Sequence, residues 1–386
     1  MPPRDSRAVL ITGRGAICAL GSNASSFWEG LVAGRAAIAP VAGFAADDLR
    51  PNHVAEVRAA AIEEPDRAGA FAVHAAREAL DDAELEPRRG TRIGVALGTT
   101  LGGMRLFEGW AGGATAGLER VPYYAPAVRV ARAFGCHGPV ATPQLACASS
   151  THAIALAAEW VRTGQADVVL AGGADLLCRF VVAGFNCLRA TADEARPFDA
   201  ARRGLVLGEG AAVVVVESEA HARRRGAVAQ ARITGAGAAA DATHMTAPDR
   251  EGRGAVRAMQ AALASAGRTP AGVDFVSAHG TGTVYNDAME AMAIGAVFGP
   301  RAVPVNSIKG AIGHTLGAAG ALEVVMCVDV LRTGLIPPTT GHGQLDPSCV
   351  QLDVVSGAAR TGAMRAVLST SSGFAGANAA LVLEAP

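Results

Sequence analysis

Ile11-Thr12-Gly13-Arg14-Gly15-Ala16, near the front of the chain, returns as Ile233-Thr234-Gly235-Ala236-Gly237-Ala238. A second pair closes what each copy opens. Gly208-Glu209-Gly210-Ala211-Ala212-Val213-Val214-Val215-Val216-Glu217 is answered by Ala377-Asn378-Ala379-Ala380-Leu381-Val382-Leu383-Glu384. Both are small-residue turns feeding a β-rich run that ends in Glu. The repeat reads as a gene duplication, with halves over residues 1–225 and 226–386 joined at the Arg-rich helix end Arg223-Arg224-Arg225-Gly226. Inside the halves, Arg92 to Leu97 and Val168 to Ala171 read as buried strands, and Ala70 to Leu80 and Ser149 to Val161 as helices. That alternation predicts an α/β protein with parallel or mixed sheets covered by helices, and functional groups on loops at the carboxyl ends of strands.

The composition supports a large packed core. Of 386 residues, 50% are apolar, 47 are Gly and only 18% are charged, which suits one large or two fused α/β units. A formal net charge of −1 supplies no field for nucleic acid or an anionic membrane surface, so neither is expected as a partner. The longest apolar stretches, such as Ala211 to Val216, fall far short of the roughly 20 residues that span a bilayer. The opening Met-Pro-Pro-Arg-Asp leads into Ala8 to Ile11 and on to Thr12 and Gly13 rather than to a small-residue cleavage site, which predicts a cytoplasmic protein. Seven scattered cysteines with no Cys-x-x-Cys pair predict reduced thiols and no zinc knuckle.

Lys309 is the only lysine among 34 basic residues, all the others being arginine. An ammonium is a compact three-donor charge that a planar guanidinium does not replace, so Lys309 is a site candidate. Cys147, in Thr142-Pro143-Gln144-Leu145-Ala146-Cys147-Ala148-Ser149-Ser150, falls between an extended stretch and a helix start. Unpaired N–H groups there predict a thiol shifted toward thiolate and a place to stabilise an oxyanion. A buried structural cysteine is the alternative for such a thiol taken alone. His279 opens a Gly-Thr-Gly-Thr loop after an apolar run, and His314 follows Lys309 by five residues ahead of a Gly/Ala helix. Two histidines in Gly-flanked loops beside a unique lysine point to a reactive site. Gly13-Arg14-Gly15 follows a strand, but Cys18 stands where a dinucleotide fingerprint needs its third Gly, so nucleotide binding is not expected.

These motifs, with Asp287, Glu290, the Lys309 to Glu323 segment and the terminal Gly373-Phe374-Ala375-Gly376-Ala377-Asn378, closely resemble the β-ketoacyl-acyl-carrier-protein synthases of the thiolase-like superfamily. The resemblance spans essentially the whole chain. It implies a five-layer αβαβα body of two duplicated halves with mixed sheets, dimerising edge to edge. The first half would carry the nucleophile and the second the two histidines and the lysine. Cys147 would take an acyl chain from the carrier protein, and His279 and His314 would drive decarboxylation of a malonyl thioester and stabilise the enolate. Lys309 would pair with Glu323 to fix charge around His314. The N–H groups of Cys147 and Phe374 would form the oxyanion hole, with Phe374 also gating the acyl tunnel. Thr281 and Thr283 would hold the pantetheine arm, and Leu101 and Phe185 would line the acyl pocket unless they are plain core.

The resemblance implies no metal and no cofactor of the chain's own, because phosphopantetheine arrives on the acyl carrier protein. Arg189, Arg202 and Arg203 are candidates to meet that acidic partner, against the ordinary reading of a solvated charged face. A homodimer, or a heterodimer with a related ketosynthase-like or chain-length subunit, is implied as well. Ala375 stands where the family usually has Gly, and Ser372 where it has Phe, which points to a specialised polyketide or polyene pathway over general fatty-acid synthesis. The competing reading is a non-catalytic chain-length subunit. Its usual mark, loss of the cysteine, is missing here.

Overall fold

Strand Val9–Cys18 pairs antiparallel with Gly210–Ser218, and strand Ala231–Ala240 pairs antiparallel with Ala377–Glu384. Each repeated opening therefore lies against its own repeated closing. The register slips at matching places, between Ile11 and Gly13 and between Ile233 and Gly235, so Thr12 and Thr234 are the bulged residues. The bulge turns each hydroxyl onto the closing glutamate: Thr12 Oγ1 donates to Glu217 at 2.8 Å and Thr234 Oγ1 to Glu384 at 3.0 Å. An arginine braces each carboxylate, Arg225 on Glu217 and Arg268 on Glu384.

The paired glycines answer a packing demand. A Cβ at Gly15 would lie 2.1 Å from the Ala75 carbonyl oxygen, and one at Gly237 would lie 2.2 Å from that of Ala258. Helices Arg67–Asp82 and Arg253–Ala266 can thus rest directly on the opening strands, each through an alanine face. The Gly-x-Gly of each repeat is a helix seat within a strand that runs on past it, which disposes of a phosphate loop.

The computed structural model describes residues 8–58, 65–86, 90–115 and 117–386, so the opening Met-Pro-Pro-Arg-Asp lies outside the described residues. Eleven strands run in the order 353–354, 304–306, 275–277, 366–373, 377–384, 231–240, 9–18, 210–218, 168–175, 93–98 and 140–141. Among the described residues, the sheet strands of the two halves join where Leu10 pairs with Arg232 and Ile11 with Ala231. Outward from that seam both halves give two antiparallel pairings and then parallel ones. Helices Ser149–Thr163 and Ala319–Thr333 fill the space between the sheets, and other helices cover the outer faces, giving five layers αβαβα. Because sheets flank it on both sides, Ala319–Thr333 is buried from Ala319 through Leu331. Among the described residues, no helix is long and apolar enough to cross a membrane.

Each middle helix begins where a parallel strand has just ended. The chain leaves strand Val140–Ala141 through Cys147, and leaves strand Pro304–Asn306 through Lys309 and His314. Corresponding loops of the two halves therefore converge on one region.

Candidate active site

Cys147 sits on a tight turn. Ala146 takes φ +47°, a left-handed conformation costly for a residue with a Cβ, and Ser149 pins it by accepting the Leu145 N–H at 2.9 Å and donating to the Ala146 carbonyl at 2.6 Å. The backbone at Gly373 closes in from the other half, where a Cβ would lie 2.9 Å from the Leu145 carbonyl oxygen. That approach brings the Phe374 N–H, together with Cys147's own, onto the sulfur. The proton state differs from the sequence expectation. Burial pushes the Cys147 thiol up to about 12, and the Lys309 charge and the two N–H groups only partly oppose it. The helix start does aim N–H groups at the sulfur, but removal from water outweighs them, so the resting group is a neutral thiol.

His279 follows strand Phe275–Ser277 on a loop held from beneath by Glu290, which accepts the N–H of His279 at 2.6 Å, the N–H of Gly280 at 2.7 Å and the hydroxyl of Thr370 at 2.9 Å. Asp287 holds the rest of this loop by accepting the Gly282 N–H at 3.2 Å and the Phe198 N–H at 2.7 Å. The Thr281 and Thr283 hydroxyls sit 2.9 Å apart. His314 lies edge-on to His279 with ring centroids 5.1 Å apart. Its Nδ1 accepts the Leu316 N–H at 3.1 Å, and since an amide can only donate, the ring proton must be on Nε2. His279 Nδ1 is buried with no partner among the described residues, so that ring can adopt the tautomer an entering oxygen requires.

Lys309 Nζ lies 2.5 Å from Glu323 Oε1, with both side chains almost wholly buried. Burial and the Lys309 charge hold both imidazoles well below the usual histidine range, which keeps them neutral. Burial pushes Glu323 up, and Lys309 pulls it back.

Cys147, His279, His314, Thr281, Thr283 and Phe374 all line one cavity of about 360 Å³. The Phe374 ring stacks on Phe185 at 5.6 Å. Leu101 is buried with Leu176, Val182 and Leu205 in an apolar cluster that Phe185 packs against, and it is not part of the cavity wall. Arg189 and Arg203 are exposed on the wall, but Arg202 is buried against Asp346 at 2.6 Å and the Thr283 and Val284 carbonyls. Arg202 is therefore structural and cannot meet a partner. The arrangement offers a nucleophilic sulfur at two N–H donors and, opposite it, two uncharged imidazoles able to donate to a developing enolate oxygen.

Two family descriptions cover most of the chain: "Beta-ketoacyl synthase, N-terminal domain" over residues 6–222 and "Beta-ketoacyl synthase, C-terminal domain" over residues 230–342. The chain belongs to the β-ketoacyl synthase family. It is 41% identical to "Nodulation protein E" of Rhizobium sp. (strain N33) over 401 residues, covering 98% of this chain and 99% of that one. It is 37% identical to "3-oxoacyl-[acyl-carrier-protein] synthase 2" of Coxiella burnetii (strain RSA 493 / Nine Mile phase I) over 410 residues, with 98% and 99% covered. Among solved structures, "The ishigamide ketosynthase/chain length factor" matches with a TM-score of 0.92 and 36% identity, covering 99% of this chain and 100% of that one.

Sequence reasoning passed over one buried group of this synthase. Asp175 ends an otherwise apolar strand, and a lone carboxylate at a strand's carboxyl end was the available signal. Backbone strain also gathers at the site: Ala146, Leu316 and Ala375, at φ +47°, +54° and +62°, lie within two residues of Cys147, His314 and Phe374 respectively.

Proposed function

We propose that this chain is the catalytic, elongating β-ketoacyl-[acyl-carrier-protein] synthase of a type II polyketide, polyene or fatty-acid pathway. The observation that carries the reading is a single cavity holding one sulfur at two N–H donors and two neutral imidazoles. Cys147 Sγ attacks the acyl thioester on the carrier's pantetheine; its bond to the acyl carbon forms, the pantetheine C–S bond breaks, and the thiol proton leaves with the departing pantetheine sulfur. The N–H groups of Cys147 and Phe374 take the oxyanion's charge.

A malonyl thioester then enters beside Thr281 and Thr283. Its carboxylate departs as carbon dioxide, and the bonding pair passes into an enolate whose oxygen accepts hydrogen bonds from His279 and His314. The enolate carbon attacks the acyl-Cys147 carbonyl, the new C–C bond forms as the acyl C–S bond breaks, and the released Cys147 thiolate takes a proton from water to restore the thiol. Neutral imidazoles suit this step, because imidazolium would favour quenching the carbanion. Lys309 and Glu323 fix the charge behind them, and Phe374 against Phe185 separates thiol from acyl pocket, with Leu101 behind it.

The chain needs no resident cofactor, since phosphopantetheine comes with the carrier protein; Arg189 and Arg203 at the mouth suit that acidic partner. The residues 1–225 and 226–386 form the two functional halves. Exposed Phe107, Trp110, Tyr124 and Val140, the last on the sheet's edge strand, suit dimerisation with a second copy or a related chain-length subunit. We place the protein in the cytoplasm, where carrier-bound substrates are made. A sulfur seated with both imidazoles supports the catalytic subunit over a non-catalytic one. In the decisive test, Cys147→Ser is incubated with acyl and malonyl carrier proteins: no stable acyl mass is gained and condensation falls on the order of 10³-fold or more. Loading at the parental level would refute the assignment.

A further inference from the structure

Asp175 is fully buried and forms no ion pair among the described residues. A carboxylate withdrawn from water without a cation must be satisfied by donors, and Asp175 has five. Oδ1 accepts from the Thr99 hydroxyl at 2.8 Å and the Leu101 N–H at 2.9 Å; Oδ2 accepts from the Thr100 N–H at 2.8 Å, the Thr100 hydroxyl at 2.7 Å and the Gly317 N–H at 2.7 Å. That fills the oxygens' capacity. The donors come from two segments: the loop that follows strand Ile93–Gly98, and the turn three residues beyond His314 in the other half.

The turn needs this hold. Leu316 takes φ +54° as its N–H meets His314 Nδ1, and a backbone that strained stays put only when its surroundings fix it. Gly317 is next in the chain, and a Cβ there would lie 2.7 Å from Asp175 Oδ2 and 2.9 Å from the Thr100 nitrogen. Only glycine lets the turn reach the carboxylate. The geometry points to Asp175 as a positioning residue: its carboxylate locks the Leu316–Gly317 turn to the Thr99–Leu101 loop, and through the Leu316 N–H it holds His314 as the Nε2–H tautomer facing the enolate. The role in turnover rests on the condensing function proposed above; the tautomer does not.

The test uses full-length enzyme in its native assembly. Asp175→Asn keeps the volume but turns an NH₂ group toward N–H and O–H donors. Its kcat for condensation is expected to fall at least tenfold with the KM for malonyl carrier protein changed less than threefold. In ¹⁵N-histidine-labelled protein, the His314 signals should move from a single Nε2–H tautomer toward a mixture. Thr100→Val removes one donor and threatens the fold far less; it should lower kcat about threefold with the same direction of change at His314. An unchanged His314 signature in whichever variant folds overturns the proposal, as does a loss carried wholly by KM. Failure of the parent to condense would instead refute the proposed function, and the nitrogen signals would still judge Asp175.

Discussion

The two halves share a frame and differ at its ends. Both open with a Gly-x-Gly strand that seats a helix, bulge at a threonine, and close on a glutamate braced by arginine. Corresponding parallel strands, Val140–Ala141 and Pro304–Asn306, lead into the middle helices, yet one passes through Cys147 and the other through Lys309 and His314. Strands Val168–Asp175 and Ala366–Gly373 also correspond, and one ends in a buried carboxylate where the other runs into Phe374. Duplication kept whatever packs and let the carboxyl-end loops diverge, so Cys147 from one half and His279 and His314 from the other line one cavity.

The strongest way to break that comparison is to fill both helix seats. Gly15→Ala and Gly237→Ala each drive a methyl to about 2 Å from helix backbone, which cannot yield as a flexible side chain would. Each should cost about 3 kcal/mol, near the upper end for overpacking, and the two should agree within about 1 kcal/mol. Urea unfolding of each variant measures this. A large loss at one seat and none at the other would mean the halves share shape without sharing the packing that fixes it.

The frame was legible because its constraints are local and steric: a glycine pair, a threonine and a terminal glutamate recur at matching spacing. Cys147, His279, Lys309 and His314 were legible because each sits in a small-residue loop, and because the lysine has no other copy. Three properties were hidden, all for one reason. The thiol's proton state, the burial of Arg202 beside exposed Arg203, and the cradle around Asp175 each depend on segments far apart in the chain, such as Asp175 and Gly317, 142 positions apart. Ala375 could be read as a departure, but only its φ of +62° shows that the methyl occupies a position glycine would fill without strain.

Next in expected size is the lysine, which has no equivalent in the first half. Lys309→Met removes the positive charge that, after burial, depresses both imidazoles. Their pKa values should then rise. Since the proposed condensation uses them neutral, the acid limb of the kcat/KM profile should move to higher pH, while the parent keeps its activity below the ordinary histidine range. Maximal turnover should fall roughly 10²-fold, because Glu323 is left buried without its cation, a loss of about 3 kcal/mol. An acid limb at the parental position would show that burial alone sets the imidazole charge.

The finest comparison sets Thr12→Val against Thr234→Val. Both remove the same bulge hydroxyl from the same kind of glutamate, but Thr12 and Glu217 are buried, whereas Thr234 is half-buried and Glu384 keeps 17% of its side-chain surface. A hydrogen bond to a carboxylate gains strength where water cannot compete, and an unmet acceptor costs most there. Thr12→Val should therefore lose about 2 kcal/mol in urea unfolding and Thr234→Val about 1 kcal/mol. Equal losses would show that the bulge, placed alike in the two halves, sets the value of the contact. The expected inequality would show that the halves kept one hydrogen-bond design while the surrounding layers gave it different worth.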